Sequence, residues 1–165
     1  MSDTAKKDQI GIYLKDHYAG GVGALELIEH SIKEHAGTPL AAFFAELHGD
    51  IKADHEQLHK LMTTLGVADS GARNAGAWVA EKFSRAKLGF SGADGSGLRL
   101  LQTLESLALG ITGKRLLWRA LHAVRQSSKA LQQMDFEHLE KRAIEQMDRV
   151  EIKRLETARG VFHKA

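Results

Sequence analysis

The residues best suited to chemistry in this chain are carboxylates and imidazoles at helical spacing. His55-Glu56-Gln57-Leu58-His59 reads His-Glu-x-x-His, a pattern in which two imidazoles one turn apart hold a zinc ion while the glutamate activates water. Within it, Glu56-Gln57-Leu58-His59 is a Glu-x-x-His segment. Di-metal centres in helical bundles take such a segment from each of two helices and a Glu from each of the other two, because two hard cations need bridging carboxylates closed off by imidazoles. A second segment is lacking: Glu145-Gln146-Met147-Asp148 and Asp148-Arg149-Val150-Glu151 have no histidine, and Asp135 with His138 comes too early in its helix. No strand pattern or third ligand completes a peptidase site around His55, Glu56 and His59, so the spacing predicts at most a zinc-affine helix face.

These residues sit on helices whose limits can be read. The only proline lies in Gly37-Thr38-Pro39, where glycine closes one helix, threonine caps the next and proline takes its first position. Ile10, Leu14, Gly21, Leu25, Ile28 and Ile32 recur at helical spacing before that turn, predicting a first helix over 7–36. Leu40, Phe44, Leu47, Ile51, Leu58 and Leu65 define an antiparallel second helix after it. Glycine and serine then break the chain from 66 to 97 around one short amphipathic segment, 76–87, which Trp78, Val79 and Phe83 could pin to the rest. Apolar spacing resumes over 98–124 through Leu101, Leu104, Ala108, Ile111 and Trp118, and over 131–159 through Leu139, Ala143, Met147, Val150 and Leu155, ending at Gly160. The expectation is an all-α, single-domain four-helix bundle over 1–165. It consists of a hairpin 7–66, a crossover 67–97 containing a short helix, and a hairpin 98–160.

Asp16-His17-Tyr18-Ala19-Gly20, Gly76-Ala77-Trp78-Val79-Ala80-Glu81-Lys82 and the stretch from Gly113-Lys114 to Trp118-Arg119-Ala120-Leu121 look like segments of uncharacterised bacterial proteins of the ferritin-like superfamily. Architecturally the whole chain resembles that class. The resemblance implies a one-crossover bundle, with no activity attached.

Residue counting along antiparallel helices, at about 1.5 Å per residue, tests which groups can meet. Glu56 falls near Tyr18, so Glu26 lies roughly 12 Å away along the axis and cannot share a metal with it. The same counting brings Glu26, Glu29, Glu46, His48, Glu105 and Glu151 near one level, an acidic layer that iron or manganese could use. Solvated flanking side chains, helped by pairs such as Glu29 with Lys33, account for it more simply, with buried ionic pairing a further alternative. A second layer joins Asp54 and His55 to His17, Lys114, Arg115 and Arg142. Asp54 lies between Ile51 and Leu58 and is expected to point inward, where Arg115 or Arg142 could supply a bidentate partner. Gly20, Gly21 and Gly23 predict a close helix approach or a bend, the alternative being a ligand or subunit surface against the bare backbone, and Gly110 and Gly113 favour a close crossing of the first and third helices.

Composition excludes some classes of function. No cysteine is present, which removes disulfides, thiolate ligands and thiol nucleophiles and fits a reducing cytoplasm. The hydrophilic N-terminal stretch has no signal-peptide core, and no apolar run reaches the ~18 residues of a spanning helix, so a soluble protein away from membranes is expected. With 23 basic and 21 acidic side chains dispersed for a net charge of +2, no arm for nucleic acid is visible. The reading that follows is a ferritin-like bundle of undetermined biochemical role, acting through protein contacts as a homo-oligomer with weak or no metal binding. The alternative is a di-iron or di-manganese carboxylate oxidoreductase handling oxygen or peroxide.

Overall fold

The computed structural model of the protein describes residues 3–68 and 96–163, with side chains from residue 8 onward. The expected short helix over 76–87, with Trp78, Val79 and Phe83, lies outside the described residues. Those described form α1 (Asp3–Glu34), α2 (Pro39–Thr64), α3 (Ser96–Ala123), a 3-10 turn (Arg125–Ser127), α4 (Lys129–Gln132) and α5 (Phe136–Phe162). No strand occurs among them, and no helix among them is long and apolar enough to cross a membrane.

The turn between α1 and α2 follows local chemistry. Gly37 takes φ +80°, open to glycine at little cost. The Thr38 hydroxyl oxygen then accepts the Ala41 N–H at 3.4 Å, and Pro39 opens the helix. Gly66, at φ +71°, closes α2 while the Val67 N–H reaches back to the Met62 carbonyl at 2.9 Å.

The fourth expected helix is not continuous from Leu131, a correction to the sequence reading. The Ser128 side chain caps the single turn α4, and the chain breaks before Asp135, whose carboxylate accepts the His138 N–H at 3.0 Å and starts α5. The Asp135 and His138 spacing is therefore a helix cap. Nor does Gly160 end the helix, which runs to Phe162; a glycine near a terminus costs only about 1 kcal/mol and does not stop propagation.

α1 packs along α2 and α3 along α5, while contacts of α1 with α3 and of α2 with α5 are sparser. Two apolar clusters fill the interior. One gathers Leu14, Leu58, Met62, Leu117, Trp118 and Phe136, and the other Ile28, Phe44, Leu47, Leu104, Ile111 and Val150. Each fully buried leucine or isoleucine contributes about 1.5–3 kcal/mol. Moving from the second cluster to the first, α2 and α3 both advance in sequence, whereas α1 and α5 both go back. α2 and α3 thus run in the same direction, which requires a connection long enough to return along the bundle.

Candidate functional site: a charged layer beside an apolar cavity

Between the two clusters lies a polar layer built on Asp54, which α2 places one turn from Leu58 and on the same face as Ile51. It is 1% exposed. Its Oδ2 accepts from Lys114 Nζ of α3 at 2.6 Å and from Gln146 Nε2 of α5 at 2.8 Å, and its Oδ1 accepts from Arg142 Nε at 2.7 Å. Lys114 also donates to Gln146 Oε1. Arg142 Nη2 reaches the Asp50 carbonyl at 3.1 Å, and Arg149 pairs with the Asp50 carboxylate. Three helices are thereby tied at one height. Burial alone would push the Asp54 carboxyl up, but the Lys114 charge and the bonds from Lys114, Gln146 and Arg142 outweigh it and hold the group below its ordinary value. Lys114 is drawn down by burial, with Asp54 opposing the shift. Arg142 is held higher by its bond to Asp54.

Beside this layer, between α1, α2 and α3, is a cavity of about 200 Å³. Its apolar wall comes from Ala24, Ile51, Leu58, Leu107, Ile111 and Leu117. Lys114, His17 and His55 also line it, together with Asp54 and Trp118, both almost fully buried. Exposed Asp16, Gly20 and Gly110 also line it, so it opens to the surface between α1 and α3. The glycines there have two different roles. A Cβ on Gly21 would lie 2.4 Å from His55 Cδ2, so glycine is needed for the imidazole to seat against α1. A Cβ on Gly20, Gly110 or Gly113 would meet nothing within 4 Å among the described residues. The expected tight crossing at Gly110 and Gly113 is therefore corrected: their missing side chains leave space. The Trp118 indole N–H, on a residue 1% exposed, is buried with no acceptor among the described residues.

His55 Nε2 donates to the Tyr18 carbonyl at 3.0 Å, and its ring stacks on Tyr18 with centroids 4.2 Å apart. The His59 ring lies 5.6 Å from the same tyrosine, and Glu56 is exposed. The motif residues thus divide between a packed imidazole and a solvent-facing carboxylate. The acidic layer also separates. His48 Nε2 pairs with Glu29 Oε1 at 3.2 Å. Arg154 bonds Glu151 at 2.7 and 2.8 Å and reaches Glu105 at 3.5 Å, and its bond holds the Glu151 carboxyl low. Glu26 and Glu46 are exposed. Among the described residues no three His, Asp or Glu side chains converge on a point where a metal ion could sit. Of the basic partners considered for Asp54, Arg142 makes the bond, whereas Arg115 turns to Glu140 at 3.1 Å. Gln146 carries no charge, but it falls on the stripe of Leu139, Ala143 and Val150, where a polar residue must find a buried partner. The chain matches no family model, no curated protein and no solved structure.

Asp54→Ala leaves two cations facing a buried gap and is expected to cost about 3–5 kcal/mol in chemical denaturation. The combined Asp54→Leu, Lys114→Met, Arg142→Met and Gln146→Leu variant removes the charges together and should cost much less; equal losses would contradict the pairing.

Burial lowers His17, against the pull of Asp16. Burial also lowers His55, with His59 and Lys114 adding and the Tyr18 carbonyl and Glu56 opposing. Below the ordinary value of 6.5 the unfolded chain therefore takes up protons that the folded state refuses. Stability falls as pH drops from there toward the folded values. The thermal midpoint should decline between about pH 7 and 5.5, and less steeply in His17→Gln/His55→Gln. An unchanged slope in that variant would count against neutral, buried imidazoles.

Proposed function

We propose that this chain is a ferritin-like four-helix bundle whose role is to hold a small, largely apolar molecule in the cavity between its two hairpins. The common direction of α2 and α3 supports the topology. The observation that carries the binding role is a void kept open by glycines where larger side chains would fit, at Gly20, Gly110 and Gly113. Protein interiors rarely tolerate such space. Stability given up at one place marks a functional site. An apolar chamber of about 150 Å³ accepts benzene, so roughly 200 Å³ accommodates a ring with a small substituent.

A second observation favours action through protein contacts. α3 presents Leu109 and Leu116, 75% and 56% exposed and two turns apart on one face, and α5 presents Ile152 at 60%. Covering such residues supports self-association.

Toluene should raise the thermal midpoint of the protein. Gly113→Leu, which fills the chamber, should keep its helicity and lose that response. Undiminished toluene binding in the filled variant, or no response in the wild type, would remove the cavity reading. In light scattering the wild type should be larger than one chain, with Leu109→Lys/Leu116→Lys shifting it to the monomer. A monomeric wild type would remove self-association.

A further inference from the structure

One nucleophile lies where the charged layer meets the chamber. Of the described lysines, Lys114 alone lines the cavity. Its side chain is 16% exposed, and its nitrogen donates to Asp54 Oδ2 at 2.6 Å and to Gln146 Oε1. A lysine nitrogen has three positions beyond its carbon. Asp54 of α2 and Gln146 of α5 take two of them, and α1, the third wall of the chamber, supplies no acceptor. The neutral amine can keep both bonds, because each needs only an N–H, and its lone pair then occupies the third position. Burial pulls this amine below an ordinary lysine against the opposing charge of Asp54, and Arg142 adds to the descent. Lysines desolvated in an apolar pocket, or set beside another cation, are activated to form Schiff bases with carbonyl compounds.

We propose that Lys114 captures a small apolar aldehyde in the cavity as a protonated imine. This rests on the cavity-binding reading and adds the class of ligand and the bond that holds it. The apolar body lies among Ile51, Leu107, Ile111 and Leu117, with the carbonyl carbon toward Lys114 Nζ. The ammonium first passes a proton to Asp54 Oδ2, its existing partner. The nitrogen lone pair then attacks the carbonyl carbon, a C–N bond forms, and the carbonyl oxygen takes that proton to become a hydroxyl. A second nitrogen proton follows the same route, the C–O bond breaks, water leaves and the nitrogen lone pair closes the C=N bond. Ammonium and aldehyde thus give iminium and water, with no oxidant and no change of charge. The iminium N–H keeps Asp54 as its counter-ion, so capture leaves no carboxylate stranded in the layer. Water entering between α1 and α3 reverses the reaction and releases the aldehyde.

The test treats the full chain with benzaldehyde and cyanoborohydride, which reduces an iminium to a stable secondary amine, and maps the product by peptide mass spectrometry. The chain has no cysteine, so no thiol competes for the aldehyde. A benzyl group should appear on Lys114 at least about tenfold faster than on any other lysine, because the chamber holds amine and aldehyde together. Toluene should suppress that labelling by competition. Lys114→Arg, which keeps a cation for Asp54, should lose the fast label. Gly113→Leu, which fills the chamber and retains the lysine, should lose it too. Label spread evenly over exposed lysines, in a protein that toluene still stabilises, would overturn the capture and leave the cavity reading standing. Fast labelling of Lys114 that persists in the filled variant would overturn the cavity as the place of capture. Absence of both the toluene response and the Lys114 label would overturn both readings.

Discussion

A carboxylate placed inside a helical bundle must be surrounded by donors, and in this protein that requirement organises everything near it. Asp54 takes its bonds from Lys114 on α3 and from Arg142 and Gln146 on α5. Sliding α2 by one turn, about 5.4 Å, would break every one of those bonds, and sliding α3 or α5 would break those that it supplies. Apolar clusters above and below tolerate small shifts, since leucine against leucine has little preference for register. The ionic layer does not. Its net contribution to stability is modest because desolvation offsets attraction, and its effect lies in which arrangement is chosen.

The cavity follows from the same layer. Lys114 must come in from α3 far enough to reach Asp54, and the α3 positions beside it toward α1, Gly110 and Gly113, carry no side chain to fill the remaining gap. On the far side Gly21 admits His55 against α1. Glycine therefore works in two opposite senses within one site, allowing contact at one position and preserving emptiness at the others. Sequence position alone does not distinguish the two, which is why a close crossing was expected where the structure has a chamber.

How much was legible differs from residue to residue. The Gly37-Thr38-Pro39 turn and the helical spacing came directly from local preferences, because caps and periodicity depend on neighbours in sequence. The meeting of Asp54, Lys114 and Arg142 could be counted out from the short turns, since rise per residue is nearly constant. The azimuth around each helix is less forgiving. Glu105 and Glu151 do share a level, yet Arg154, one turn along from Glu151, occupies the space between them. Gln146 carries no charge to draw notice, and only its place in an apolar stripe marked it. The break at Asp135 was hidden because Leu131 and Leu139 keep a helical period across it.

The glycines of α3 bear on selectivity. Gly110 and Gly113 make no side-chain contacts, and the charged layer does not run through them. Exchange at either position for alanine, valine or leucine would shorten the chamber stepwise while the Asp54 bonds stayed in place. The fold thus separates the part that sets register from the part that sets capacity. Chains differing only at these positions would keep one frame around chambers of different girth, with the third helix as the gauge.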